Sequence, residues 1–378
     1  MEIYLLKILF TVLCFQFLFV SIFLFQNKKG KTLSNKLLGI VFLMTTIAII
    51  NLYIIVFRVD IKLAQLLLID DTFMFSYGPL LYLFTQSVLF KEYRLKKNNI
   101  LHFIPFFLAI CVIIVIALFI KADSIFDMKS QNIPLYIHFG ELFMLAHIFY
   151  YLIKSKIEIK KVLGKTMEIY SSFNQGNFKL LKFIINSFFV LFLLSLLHSI
   201  LPFAGFKNGL LITLLLMILF MFYFINSILL KMLNQSPDNS GSLTQINFKE
   251  KYAGSSLSVN ELGTLKDKLW SYMGKSQCFL DSELNINHLS TELKISSKVL
   301  SQVINEGYDC NFFDFVNKFR VETAKSIFEN QIDENLTIME VMYDSGFNSK
   351  SSFNTAFKKF TKLTPTQFKN AIEKGSTS

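Results

Sequence analysis

Two short stretches near the C-terminal end carry side chains able to do recognition chemistry. In "SSKVLSQVIN", Leu300 and Ile304 mark the inner side of a helical period, and Lys298, Ser301, Gln302 and Asn305 fall opposite them. In "SKSSFNTAFKKF", Phe353 and Phe357 mark the inner side. That leaves Ser351, Ser352, Thr355, Lys358 and Lys359 as the most exposed positions, with Lys350 and Asn354 at the flanks. Gln302 and Asn354 each offer a paired donor and acceptor, which suits an adenine edge. Lysines suit phosphate oxygens, where a positive charge positions a chain without reading sequence. This is the chemistry of hydrogen bonding and charge. Signatures of catalysis are missing: no HExxH, no Gly-rich phosphate loop, no Ser–His–Asp arrangement. Cys14, Cys111, Cys278 and Cys310 include no CxxC pair and read as reduced thiols. Neither an enzyme, a metal site nor a cofactor is expected.

The elements that must position these residues are short helices. "INHLSTELKISSKVLSQVIN" reads as a helix-turn-helix whose Leu289, Leu293, Ile295, Leu300 and Ile304 close a small core, with Ser296 or Ser297 capping its second helix. "IMEVMYDSGFNSKSSFNTAFKKF" repeats the pattern with Ile338, Val341, Phe347, Phe353, Phe357 and Phe360, and Gly346 supplies a left-handed turn residue. Between them, "NFFDFVNKFRVETAKSIFEN" has helical spacing and bridges the two units. A further amphipathic helix, "SVNELGTLKDKLWSYM", precedes both.

With these motifs in order, and "TPTQFK" closing the run, residues 281–372 resemble the DNA-binding domain of the AraC family. The whole layout is similar to membrane-bound bacterial members, in which a seven-helix membrane domain precedes the regulator; "YGPLLY" and "LHFIPF" fit such a sensor. The resemblance implies two helix-turn-helix units joined by a long helix. It also implies groove-facing roles for Lys298, Ser301, Gln302, Lys350, Ser351, Ser352, Asn354 and Thr355. Lys358 and Lys359 suit phosphates. Lys294 and Lys362 stand where the family often has Gly, and Met342 where it often has Ala. Arg320 matches a family arginine on the connecting helix, where a structural ion pair with a nearby acid is the expected role. The plainer reading of each polar residue, as a solvated surface group, stays open beside that of the face as a whole.

The rest of the chain is lipid-like. Of 378 residues, 53% are hydrophobic, above the proportion usual in soluble domains, and the excess lies before Lys231. Charge divides the same way. Residues 1–230 are net +11 and residues 231–378 net zero, so the basic balance belongs to the apolar half. Crossing a bilayer takes about 20 apolar residues, and seven runs are long enough: 3–26, 37–57, 70–90, 100–120, 133–153, 180–201 and 209–230. One set of loops holds 14 Lys and Arg and the alternate set 5, which places the N-terminus outside and the C-terminal half in the cytoplasm. Locally, residues 281–309 are net −3 and residues 345–378 net +5, so the second unit is expected to anchor and the first to read.

The fold expected is all-α: a seven-span domain over 1–230, a flexible linker over 231–260 and an AraC-type domain over 261–378. Ionisable groups inside spans are costly. Asp70, Asp71, His138, Glu141 and His198 all fall in the outer half of their spans, which allows a polar pocket for a signal. One buried hydrogen bond plus interfacial polar residues is the alternative. Double-stranded promoter DNA, the bilayer, an unidentified signal and a second copy of the chain are the expected partners, in a multi-pass protein of the inner membrane. The competing reading is a transporter-like or receptor protein whose helix-turn-helix domain only contacts other proteins.

Overall fold

A computed structural model describes residues 2–27, 32–57, 59, 67–90, 92–119, 135–172, 175–201, 207–233, 257–330 and 336–376. Among these the structure is helical, with one isolated antiparallel bridge between Tyr170 and Asn285. The chain divides into two compact units. One comprises Met1–Ile159 with Lys179–Ser240, and the other comprises Lys160–Phe178 with Gly241–Ser378.

The first unit is built from α1 (Glu2–Gln26), α2 (Thr32–Val56), α3 (Leu67–Leu89), α4 (Ile104–Phe119), α5 (Leu135–Ile169) as far as Ile159, α6 (Gln175–Ile200) from Lys179 onward, and α7 (Lys207–Leu233). A 3₁₀ turn over Lys97–Phe103 leads into α4. Among the described residues, five segments are long and apolar enough to cross a membrane: Leu6–Gln26, Leu33–Val56, Lys97–Val115, Phe178–Ile200 and Gly209–Lys231. The seven spans expected from the sequence thus become five on this criterion. The two helices that fall short are α3, which holds Asp70, Asp71 and the stretch Ser76–Pro79, and α5, which holds Glu141 and a run of lysines from Lys154.

The core of this unit is aromatic. Phe224 is fully buried and meets Phe42, Phe183 and Phe188 at centroid distances of 6.0, 5.9 and 5.6 Å, in the edge-on and tilted geometries that ring quadrupoles favour. Several hydroxyls inside the helices are satisfied by backbone carbonyls. Thr45, Thr46 and Thr85 donate to carbonyls one turn back, and Ser21 donates to Gly39 O at 2.8 Å. Outward-facing positions such as Phe15, Ile8, Leu108 and Leu211 are more than half exposed and apolar. A surface of this kind needs a non-aqueous cover, and these helices are compatible with membrane insertion.

The second unit contains α8 (Val259–Ser276), α9 (Ile286–Leu293), α10 (Ser297–Tyr308), α11 (Phe312–Asn330), α12 (Ile338–Asp344), α13 (Lys350–Thr361) and α14 (Pro365–Ser376). Local chemistry fixes where each begins. Ser258 with Glu261, and Thr337 with Glu340, form reciprocal capping boxes, while Asn285, Ser296 and Ser349 cap α9, α10 and α13. Lys294 and Lys362 end α9 and α13 in the left-handed region, at φ 55° and 66°. Both stand where the resembling family often has glycine, and the conformation accounts for that preference. Gly346 has φ 86°, and a Cβ there would lie 2.7 Å from Leu280 Cα and Phe279 O, so the turn of the second helix-turn-helix requires glycine.

Two separate cores result. Leu269, Met273, Leu289, Leu293, Leu300, Ile304 and Phe315 belong to the first; Val341, Met342, Phe347, Phe353 and Phe357 belong to the second. Helix α11 supplies both, Phe312 to Val316 on one side and Val321 to Phe328 on the other. It is the bridge expected from "FVNKFRVETAKSIF". Most of the expected linker, residues 234–256, lies outside the described residues. One segment behaves unlike the sequence reading. Lys160–Phe178, counted there with the membrane half, groups with the second unit.

Candidate nucleic-acid interface

Helices α10 and α13 are the second helices of their helix-turn-helix units, and each presents one polar face. On α10, Leu300, Val303 and Ile304 are fully buried, leaving Lys298, Ser301 and Gln302 half-buried and Asn305 exposed. This face is already cross-linked along the helix. Gln302 Nε2 donates to both carboxylate oxygens of Glu306, at 3.1 and 3.2 Å, and Asn305 Nδ2 donates to Ser301 Oγ at 3.4 Å. The Gln302 amide therefore has its oxygen turned away from Glu306, available as an acceptor.

On α13, Lys350, Ser351, Thr355 and Lys358 are exposed and Asn354 is half-buried. Thr355 Oγ1 donates to Ser351 O at 2.7 Å, which takes its hydroxyl hydrogen inward. Two expectations change here. Ser352 does not face outward: it is 1% exposed, and its Oγ is buried without a hydrogen-bond partner. The buried stripe of α13 is wider than the two phenylalanines alone indicate, because Ser352, Phe353, Ala356 and Phe357 all fall on it. Its amide is spoken for as well, donating to the capping Ser349 Oγ at 3.2 Å. Lys359 is exposed, as expected, but its Nζ lies 2.6 Å from Asp314 Oδ2 on α11. It enters any encounter with an anion already paired.

A groove of ≈ 580 Å³ runs between α13 and the start of α14, lined by Asn354, Thr355, Lys358, Lys359, Thr364 and Thr366. The last two were missed from sequence. Thr364 Oγ1 accepts from Gln367 N at 3.3 Å while Gln367 Oε1 accepts from Thr364 N at 2.9 Å, and Pro365 takes the first helical position. The "TPTQ" string was the available signal. A helix N-terminus beside two lysines is a favourable place for an anion.

Arg320 is completely buried, and its role differs in detail from the ion pair expected. Its Nε, Nη1 and Nη2 donate to the carbonyls of Phe279, Ser171 and Asp281, to Asn317 Oδ1 and to Ser171 Oγ, at 2.6 to 3.3 Å. Among the described residues no carboxylate accepts from it. Burial pushes the guanidinium down to about 10, with Asp281 acting in the opposite direction, so it remains charged at neutral pH.

Of the expected signal pocket, the side chains of Asp70, Asp71 and His138 lie outside the described residues. Glu141 and His198 are both half-buried in the first unit. His198 Nδ1 is hydrogen-bonded to Thr213 Oγ1 at 2.7 Å. Among the described residues no cluster of three or more His, Cys, Asp or Glu side chains is placed to hold a metal.

Comparison with known proteins bears on the C-terminal part. A family described as a helix-turn-helix domain matches residues 289–371. An uncharacterized HTH-type transcriptional regulator of Staphylococcus aureus (strain COL) is 34% identical over 87 residues, which are 23% of this chain and 11% of that protein. The chain therefore spans about a tenth of that relative's length. Among solved structures, the C-terminal domain of the two-component response regulator yesN from Fusobacterium nucleatum is 27% identical. The match covers 28% of this chain and 98% of that one, with a TM-score of 0.25. The C-terminal domain of AraT, a response regulator from Geobacillus stearothermophilus, is 24% identical over 31% of this chain and 88% of that one, also with a TM-score of 0.25. The C-terminal part of this chain is a helix-turn-helix domain of the AraC type, with transcriptional regulators as its homologues.

Proposed function

We propose that this protein is a membrane-tethered transcription regulator. Its helix-turn-helix domain binds double-stranded promoter DNA, and its N-terminal half, crossing the bilayer seven times with the N-terminus outside, receives a signal. The observation that carries the reading is the pair of independently cored helix-turn-helix units sharing α11, on a chain that also holds five apolar helices of membrane-spanning length. In this reading α10 and α13 occupy successive major grooves about 34 Å apart. Gln302 and Asn354 contact bases, together with Lys298, Ser301, Ser351 and Thr355. Lys350 faces the same groove, while Lys358 and, less strongly because of its pairing with Asp314, Lys359 hold phosphates, with the α14 N-terminus completing the anchor. Glu141 and His198 belong to the polar pocket, and two copies of the chain act together on DNA.

Two measurements test it. Genome-wide mapping of DNA bound to the full chain in cells should return discrete sites, and they should vanish when Gln302 and Asn354 are both replaced by alanine. Reporter fusions after Lys231 should be active only as a cytoplasmic type, and those within residues 121–132 only as an external type. The opposite topology would put the domain out of reach of DNA and end the proposal.

A further inference from the structure

The buried arginine leads to a contact that neither the motif nor the family comparison contains. Residues Ile169–Ser172, where α5 ends, lie against the helix-turn-helix domain within the same compact unit. Ile169 packs on the first core. Tyr170 bridges Asn285 in antiparallel fashion, and the Ser171 amide donates to Leu284 O at 3.3 Å. Ser171 Oγ donates to the same carbonyl at 2.5 Å and accepts from Arg320 Nη2 at 3.0 Å. Its carbonyl accepts from Arg320 Nη1 at 3.1 Å and from Asn317 Nδ2 at 3.2 Å. Ser172 Oγ then donates to Asn348 Oδ1 at 2.6 Å, and Asn348 Nδ2 reaches Glu283 Oε1 at 3.2 Å.

Two features make this more than a loop resting on a surface. A guanidinium has five N–H donors, and here all five are used, two of them on Ser171. Asn317 and Arg320 are both fully buried, so withdrawing the segment leaves a buried charge short of two acceptors, which is costly. The segment also touches both reading units. Leu284 and Asn285 are at the start of α9, and Asn348 directly precedes Ser349, the residue that caps α13. It is thus placed to fix the start of the second recognition helix relative to the first unit.

We propose that the polar notch formed by Leu284, Asn317, Arg320 and Asn348 is a docking surface whose occupant is this chain's own Ile169–Ser172 segment, and that this contact holds the two helix-turn-helix units in register. Because the segment is the end of α5, a displacement of that helix is passed to the spacing of α10 and α13 without using the linker after α7. The consequence for DNA rests on the DNA-binding reading above; the docking itself does not.

The experiment uses the full chain in lipid nanodiscs, with Cys14, Cys111, Cys278 and Cys310 replaced by alanine. In this background Ser172→Cys with Asn348→Cys should cross-link on mild oxidation. Ser171→Ala removes one acceptor of a charged donor, worth about tenfold. Its affinity for a duplex spanning both major grooves should fall by that factor, and its affinity for a half-length duplex should be unchanged. Ser172→Ala leaves the Arg320 network whole and guards against simple misfolding. In both variants backbone amides around Asn348 should exchange faster with deuterium. Absence of the cross-link, or both variants matching the parent in exchange and on both duplexes, overturns the proposal. If the parent binds no duplex, the DNA-binding reading fails, and the cross-link and exchange still decide the docking.

Discussion

Lys358 and Lys359 are neighbours on α13, yet the structure predicts that they contribute unequally to DNA binding. Each phosphate neutralised steepens the log–log salt dependence by about 0.9. Over a fourfold rise in salt, for example from about 50 to 200 mM, one lost contact therefore changes the affinity ratio by about 3.5-fold. Lys358 is exposed with no ion pair among the described residues, so Lys358→Ala should flatten the slope by nearly the full 0.9 unit. Lys359 sits 2.6 Å from Asp314, whose side chain is only 13% exposed. Exchanging that partner for a phosphate releases fewer counterions, so Lys359→Ala should flatten the slope by clearly less. Asp314→Asn provides the converse. Freed of its partner, Lys359 should strengthen binding to specific and scrambled duplexes alike, by a few-fold given the roughly 0.2–1 kcal/mol typical of solvent-screened pairs. Fluorescence anisotropy with the full chain in nanodiscs, at four or more salt concentrations, measures all three. Equal slopes for the two alanine variants, with Asp314→Asn indistinguishable from the parent, would refute the assignment of Lys359 as a paired cation.

Trp270 is the chain's single tryptophan, stacked on Tyr308 and tilted against Phe319 in the second unit, so its fluorescence during denaturant unfolding follows that unit alone. By this measure Ser352→Ala should stabilise by about 1 kcal/mol, since it removes a buried hydroxyl that lacks a partner, and should leave DNA affinity intact. Lys294→Gly should stabilise by about 0.5–1 kcal/mol by relieving the left-handed backbone at φ 55°, whereas Lys294→Ala should not. Glu340 is held below the usual carboxylate range by the backbone and then the side-chain hydrogen bonds of Thr337. A depressed folded value means stabilisation present above the unfolded value and lost as pH falls through the folded one. Glu340→Gln should therefore be less stable than the parent at neutral pH, and the gap should close as pH falls below 4.5. A gap independent of pH would assign the loss to packing.

How much of this was legible beforehand follows from the range of each interaction. The caps Ser296 and Gly346, the Phe353–Phe357 stripe and the bridging role of α11 act over a turn or two, and a single sequence displays them. Ser352 was misplaced because two large residues defined the buried face, whereas a small residue can join it without any hydropathic signature. Spans over α1, α2, α6 and α7 stand out by apolar length. Those over α3 and α5 are weaker apolar runs, interrupted by Asp70, Asp71 and Pro79 in one and by Glu141 and the lysines from Lys154 in the other.

Least legible was the contact with Ser171, which lies 149 residues from Arg320. Its sequence neighbourhood, rich in lysine, announces only which side of a membrane it occupies. Apolar area could not have specified it either, since the partners are carbonyls, an amide and a guanidinium. What specifies it is donor count. A charged side chain buried with five N–H groups and no carboxylate must find five acceptors, and α11 with its nearest neighbours supplies three. The remaining two have to come from a part of the chain that can approach with both a backbone carbonyl and a hydroxyl on adjacent bonds. A serine at a helix end meets that requirement, because its carbonyl is released from the helical ladder. Ser171→Ala should therefore be tolerated far better than Ser171→Pro, which also deletes the N–H that donates to Leu284 O, and that ranking separates a specified contact from an incidental one.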